Sequence, residues 1–306
     1  MESSIQGKMI RELIAHFSSD LLIGKKIKNG DLRKKLVNVE PRWRCPEGFS
    51  WTEIQMKDFT MDWLVPEENN REKVVLQLHG GGYIAGMRNA YRTFGVVYSE
   101  LGGNISVLTP DYRVAPEHPF PAALEDALAA FDWLLAQGYA EEDIILAGDS
   151  AGGGLVMSLC FLLRQRKRKL PCGIVAMSPW TDLTQSGDSY VINFERDPLF
   201  GKTKDSMIYN KDYIGDADPK NPYISPLFGK FHDFPPMLIQ VGSYEMLLSD
   251  AVDVANKAKK AGVKVRLAVY EGMFHVFQRG LRMMPESKKA WHEVEEFLTI
   301  LRRGEA

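Results

Sequence analysis

Short apolar runs alternate along this chain with longer stretches whose apolar residues recur every three or four positions. Residues 74–78, 106–109, 143–147, 173–177, 237–241 and 263–269 are of strand length and nearly continuously apolar, as strands buried on both faces are. Helical spacing runs through residues 122–137, 153–163, 250–260 and 287–301. The first of these is preceded by Pro119 and Pro121 and stopped by Gly138. Strand and helix in regular turn predict an α/β fold, with a mostly parallel central sheet and helices on both faces.

Two stretches break the alternation. Residues 1–45 mix amphipathic pieces with the basic Lys25-Lys26-Ile27-Lys28, and residues 185–233 are irregular, aromatic and rich in Asp, Lys and Pro. Both suit a helical cap over the carboxyl ends of the strands. Residues 46–184 and 234–306 then form the first and second parts of one α/β domain, a size that 306 residues allow.

Charge changes this picture little. With 38 Lys and Arg against 40 Asp and Glu, the chain has no basic excess to suggest a nucleic-acid partner. The run Arg164-Gln165-Arg166-Lys167-Arg168-Lys169 reads as a solvated helix end, where cations complement the dipole. No apolar run approaches the roughly 18 residues of a membrane span. The first residues carry Glu2, Lys8, Arg11 and Glu12 and lack the apolar stretch of a signal peptide. Cys45, Cys160 and Cys172 are odd in number and show no CxxC spacing, so a reducing, cytoplasmic compartment is expected.

The chemistry concentrates where strands end. Gly148-Asp149-Ser150-Ala151-Gly152 follows the strand at 143–147 and opens the helix at 153–163. A serine at the apex of a sharp strand-to-helix turn needs flanking glycines, because side chains there would press on the neighbouring strand and helix. His79-Gly80-Gly81-Gly82-Tyr83 directly follows the strand at 74–78. Consecutive glycines are entropically costly, and bare backbone N–H groups that approach a substrate closely would justify them by donating to an oxyanion. A phosphate loop would instead want GxxxxGK[ST] or GxGxxG, and neither is present. His79 sits on the strand side of the glycines, where it braces the loop.

A nucleophilic serine needs a base, and the base an orienting acid. Of the histidines, His16 and His292 fall on surface-helix patterns and His118 in a proline-rich bend, which are structural settings. His275 follows the strand at 263–269, in the loop Glu271-Gly272-Met273-Phe274-His275, where a parallel sheet presents reactive groups. The order nucleophile, acid, histidine points to the loop Gly242-Ser243-Tyr244-Glu245. Glu245 is the first choice of acid, Asp250 the second, in a helix-capping position beside Ser249, and Asp182 the third.

With these pieces in this order, the chain resembles the hormone-sensitive-lipase-like carboxylesterases of the α/β-hydrolase superfamily. The resemblance extends to Asp111-Tyr112-Arg113-Val114-Ala115-Pro116-Glu117, His118-Pro119-Phe120-Pro121-Ala122, Ser178-Pro179-Trp180-Thr181-Asp182-Leu183, Tyr223-Ile224-Ser225-Pro226-Leu227 and Gly272-Met273-Phe274-His275. It implies the α/β-hydrolase fold, Ser150 as nucleophile, His275 as base, and oxyanion donors from Gly81, Gly82 and Ala151. It also implies a cap built from the N-terminal segment and the later insertion. Glu245 stands where most members carry Asp, aligned through Tyr244 and Leu247; a longer carboxylate still accepts the imidazole N–H.

The expected reaction is two-step hydrolysis of short- to medium-chain acyl esters through an acyl-enzyme, with no metal or cofactor. Ile10, Leu13, Ile14, Phe17 and Leu21 form an apolar helical face that either lines an acyl pocket or packs on the body. Tyr83, Phe194, Phe200, Met207, Tyr209 and Phe274 are the expected apolar lining of the cleft, with Met273 beside Phe274. Monoterpene ε-lactone hydrolases are similar around residues 242–250 and in Gly272-Met273-Phe274-His275-Val276-Phe277, so lactone opening is an alternative. Amide hydrolysis or deacetylation would use the same groups. A non-catalytic receptor of this fold is disfavoured by the presence of His275. An open sheet leaves edges to cover, so a homodimer is compatible with the sequence.

Overall fold

The structure, a computed structural model, describes residues 3–18, 40–201 and 211–305. The strands are β1 Phe49–Gln55, β2 Thr60–Pro66, β3 Asn70–Leu78, β4 Ile105–Asp111, β5 Ile144–Asp149, β6 Gly173–Met177, β7 Met237–Gly242 and β8 Val265–Tyr270. They form one sheet in the order β1-β2-β4-β3-β5-β6-β7-β8. β2 runs antiparallel to both β1 and β4, and all other neighbours are parallel. The helices are α1 Ile5–Ser18, α2 Asn89–Leu101, α3 Ala122–Ala136, α4 Ala151–Gln165, α5 Ser189–Ile192, α6 Lys211–Ile214, α7 Leu248–Lys260 and α8 Pro285–Arg303.

The near-continuous apolar strands are explained by burial on both faces. Val74, Leu76, Leu78, Leu146, Ile174 and Ile239 point one way, into a core shared with Phe131 of α3, Leu155 and Leu159 of α4 and Val254 of α7. Their chain neighbours Val75, Ile145, Val175 and Leu238 point the other way, against Phe94 and Tyr98 of α2 and Trp291, Val294 and Leu298 of α8. Successive residues of a strand face opposite sides, so both clusters draw on the same strands. Each large aliphatic side chain so buried contributes roughly 1.5–3 kcal/mol before the entropy of ordering it.

The predicted strands and helices all form, with ends shifted by a few residues. Three elements lie outside the sequence-level pattern. β1 is an edge strand with mostly exposed, mostly polar residues, so no buried face marks it. β2, its antiparallel partner, alternates only in part. α2 buries Tyr91, Phe94, Gly95 and Tyr98 at helical spacing, but its aromatic and β-branched residues suit a strand equally well.

The described part of the N-terminal segment packs on the body. Ile10 and Ile14 of α1 rest against the cluster of Tyr270, Met273, Phe274 and Phe277, and Arg11 donates to the Gly272 carbonyl at 2.9 Å. Leu13 is exposed. The Phe17 side chain, Leu21 and the Lys25–Lys28 stretch lie outside the described residues.

Candidate active site

β5 ends at Asp149 and α4 begins at Ala151, so Ser150 alone reverses the chain, at φ 54° and ψ −123°. A non-glycine residue in such a region costs on the order of 1–3 kcal/mol and needs its surroundings to hold it. The Ser150 N–H donates to the Met177 carbonyl at 2.9 Å, and the Ser150 carbonyl accepts from Trp180 N at 2.9 Å and Gly154 N at 3.2 Å. The glycines are steric necessities: a Cβ on Gly152 would lie 2.0 Å from the Leu78 carbonyl oxygen, and one on Gly148 2.4 Å from that of Gly152.

The glycine loop is fastened to this elbow. Asp149 Oδ1 accepts the Gly80 N–H at 2.9 Å, and a Cβ on Gly80 would lie 2.6 Å from Asp149 Oδ2. Tyr91 OH and Arg279 approach the same Oδ2 at 3.3 and 3.5 Å. His79 is fully buried, stacked on Tyr112 with ring centroids 4.0 Å apart, and its Nδ1 is 2.8 Å from the Gly80 carbonyl. Burial holds its pKa below the ordinary 6.5. It braces the loop, as its position before the glycines predicts. Gly81 and Gly82 have φ of 125° and 64°. Among the described residues, the N–H groups of Gly81, Gly82 and Ala151 donate to no protein acceptor.

Glu245 and His275 meet beneath the carboxyl ends of β7 and β8. His275 Nδ1 lies 2.9 Å from Glu245 Oε2, and Glu245 is fully buried. A carboxylate oxygen accepts, so the proton sits on Nδ1 and the lone pair on Nε2. Glu245 Oε1 accepts the Ser178 hydroxyl at 2.7 Å and the Gly242 N–H at 2.6 Å. Ser178 Oγ in turn accepts the Val276 N–H at 3.0 Å, joining the acid to the residue after the histidine. Asn193 donates to the Glu245 carbonyl at 2.8 Å, and Asp197 accepts from Met246, Leu199 and Phe200 N–H groups at 2.8, 2.9 and 3.0 Å. The turn that carries Phe200 is thereby tied to the acid loop, and the Phe200 ring lies 4.7 Å from the His275 ring.

The other acids are occupied elsewhere. Asp250, in the first turn of α7, accepts Thr181 and Asp182 N–H at 2.8 and 2.7 Å, and burial pushes its pKa up to about 8. Asp182 accepts from Thr184 and Ser186 in a local turn.

Ser150 and His275 line one cavity of about 690 Å³ together with Gly81 and Gly82. Trp180, Leu199, Phe200, Leu247 and Val276 give it an apolar side, while Asp111, Arg88, Glu117, His118 and Arg279 bring charge and polarity. His118 thus sits in the cavity wall, although its proline-rich bend reads as purely structural. Several expected lining residues lie elsewhere. Tyr83 is fully buried and stacked on Tyr213 at 3.8 Å, Phe194 packs on the main core, and Phe274 joins the cluster under α1. Full burial of an aromatic ring outweighs a place in a solvated wall. Met207 and Tyr209 lie outside the described residues. Ser178, Asn193, Asp197, Leu199 and Arg279 escaped the sequence reading; of these only Ser178 sat in a quoted motif, Ser178-Pro179-Trp180.

The chain is similar to known proteins of this fold. A family model described as "alpha/beta hydrolase fold" matches residues 75–279. An "Acetyl-hydrolase" of Streptomyces hygroscopicus is 38% identical over 297 residues, 95% of each chain. An "Esterase" of Acinetobacter venetianus is 35% identical over 231 residues, 75% of each chain. A crystal structure of an esterase from the bacterial hormone-sensitive lipase family superposes with a TM-score of 0.84 at 33% identity, covering 100% of both chains.

Proposed function

The chain belongs to the hormone-sensitive-lipase-like carboxylesterases of the α/β-hydrolase superfamily, and on that premise we propose that it hydrolyses short- to medium-chain acyl esters through Ser150, His275 and Glu245. The observation that carries this reading is the buried Glu245–His275 hydrogen bond at 2.9 Å, opening on the cavity that holds Ser150 and the glycine N–H groups.

His275 Nε2 takes the Ser150 proton as Oγ bonds to the ester carbonyl carbon. The resulting oxyanion accepts hydrogen bonds from Gly81, Gly82 and Ala151 N–H, each of that kind typically worth about 3–4 kcal/mol in the transition state. Collapse breaks the C–O bond to the alcohol, which leaves with the proton held on His275 Nε2. Water, deprotonated by the same nitrogen, attacks the acyl-enzyme carbonyl; collapse releases the carboxylic acid and returns the proton to Ser150 Oγ. Glu245 orients the imidazole and stabilises its charged form.

Chain-length preference is argued from the cavity. Trp180, Leu199, Phe200 and Leu247 bring bulky apolar side chains into the cavity that holds Ser150 and His275, and Ile84, Met87 and Val114 share the rest of the wall with the charged Arg88, Asp111, Glu117 and Arg279. That suits a small acyl group better than a long one, in keeping with the name "Acetyl-hydrolase" of one relative. The test is turnover of p-nitrophenyl esters from two to sixteen carbons, beside one ε-lactone, with Ser150→Ala as control. Serine-dependent turnover that peaks at short chains supports the proposal. Equal turnover in the Ser150→Ala protein refutes it, and faster lactone opening transfers it to ring hydrolysis.

A further inference from the structure

Among the described residues, the charged groups in the cavity wall are unequally paired. Arg88 is paired with Glu40 at 3.7 Å. Arg113 is held by Asp126, with contacts from 2.7 to 3.1 Å. Arg279 is engaged by Tyr91 OH at 2.6 Å and by Asp149 at 3.5 Å. Asp111, at the end of β4, is different. Its Oδ1 accepts the Met87 N–H at 2.8 Å, and its only neighbouring base among the described residues is His79, whose Nε2 lies 3.8 Å away.

His79 does not neutralise this carboxylate. Its Nδ1 faces the Gly80 carbonyl, which only accepts, so Nδ1 carries the proton and Nε2 is a bare acceptor. Nε2 is buried and has no hydrogen-bond partner among the described residues. Full burial also disfavours the imidazolium. Two acceptors therefore lie side by side, one of them a carboxylate whose side chain is 45% exposed in a wall it shares with Ser150 and the glycine loop. Among the described residues, Asp111 has no Lys or Arg within ion-pair distance.

We propose that Asp111 selects esters whose alcohol part carries a cationic nitrogen, an ammonium or quaternary ammonium group, as the charge partner its carboxylate does not find among the described residues. This rests on the esterase reading above. The cation is assigned to the alcohol because that reading gives the acyl part to a small group, and Asp111 lines the same cavity as Ser150. Asp111 acts as a specificity residue: it holds the leaving alcohol in place and takes no part in bond making.

The test compares two isosteric acetates, acetylcholine and the uncharged 3,3-dimethylbutyl acetate, in the wild type, Asp111→Asn and Ser150→Ala. The amide introduced by Asp111→Asn keeps an oxygen to accept the Met87 N–H, so the loop keeps its anchor. The wild type is expected to favour the cationic ester by about fivefold or more in kcat/KM at low salt, mostly through KM, as befits a partly solvated ion pair. That ratio should fall by about threefold or more in Asp111→Asn, and toward one in the wild type as NaCl rises from about 20 mM to about 500 mM. The salt series tests the charge effect without a mutation. A wild-type ratio of one or below, or a ratio unchanged in Asp111→Asn, overturns the proposal and leaves the esterase reading standing. Turnover of both acetates that survives Ser150→Ala overturns both.

Discussion

At the scale of the residue, the choice of acid turns on what each carboxylate is offered. Glu245 receives Ser178, Gly242 and the His275 imidazole, whereas Asp250 receives two backbone N–H groups and no imidazole. Glu245→Gln should therefore lower kcat by roughly 10²–10⁴-fold in a stopped assay, while Asp250→Asn stays within a few-fold of wild type. Asp250 also carries a pH signature of its own. Asp250 is raised from an ordinary carboxylate value to about 8 in the folded chain. The folded state then holds its proton more tightly than the unfolded state, whose carboxyl titrates near pH 4. Below about pH 4 both states carry the proton and the group costs nothing; as pH rises toward about 8 the unfolded state gains, and stability is lost. Asp250→Asn removes this dependence, so its melting temperature should climb relative to wild type between pH 5 and pH 8. A constant difference across that range would contradict the buried protonated carboxyl.

Ser178 illustrates a residue whose role no motif reveals. Its hydroxyl donates to Glu245 and accepts from Val276 N–H, so Ser178→Ala strips one donor from the acid and strands a buried N–H. The expected cost is about 1–3 kcal/mol of stability in urea denaturation, with a fall in kcat larger than any change in KM.

At the scale of the element, the elbow depends on how closely β3, β5 and α4 approach. A methyl at Gly152 would sit 2.0 Å from the Leu78 carbonyl, inside the sheet. Gly152→Ala should give little soluble protein, or a loss of about 3 kcal/mol or more. Gly138, just past α3, has φ 94° and no atom within 4 Å of an added Cβ. Gly138→Ala should cost only the backbone strain, about 1–2 kcal/mol, and leave turnover intact. The same mutation thus discriminates a packing glycine from a conformational one. Both glycines are visible in the sequence, but only the approach of Leu78 tells them apart.

At the scale of the whole molecule, α1 reaches the reacting groups through the segment that bears His275. Ile10 and Ile14 pack on Met273 and Phe274, and Arg11 donates to Gly272. Ile10→Asp with Ile14→Asp should loosen residues 271–277 before the sheet, which is held by independent clusters on its two faces. Activity should then be lost on heating several degrees below the circular-dichroism midpoint, whereas the wild type loses both together. Among the described residues no helix is long and apolar enough to cross a membrane.

The parallel strands, the elbow at Ser150, the glycine loop and the position of His275 are legible in the order of the residues, because each is a local demand: continuous burial, a tight turn, a reactive loop after a strand. β1, β2 and α2 escaped it, since an exposed edge strand has no buried face and an aromatic helix resembles a strand. The cavity wall was largely beyond it as well. Tyr83 and Phe274 are aromatic in sequence and core in space, Phe194 packs partly buried against the core, and Asp111, His118 and Arg279 come from three separate loops and strand ends into one wall. Which carboxylate faces a histidine and which a backbone amide are matters of distance between segments far apart in the chain. Only the tertiary structure sets those distances.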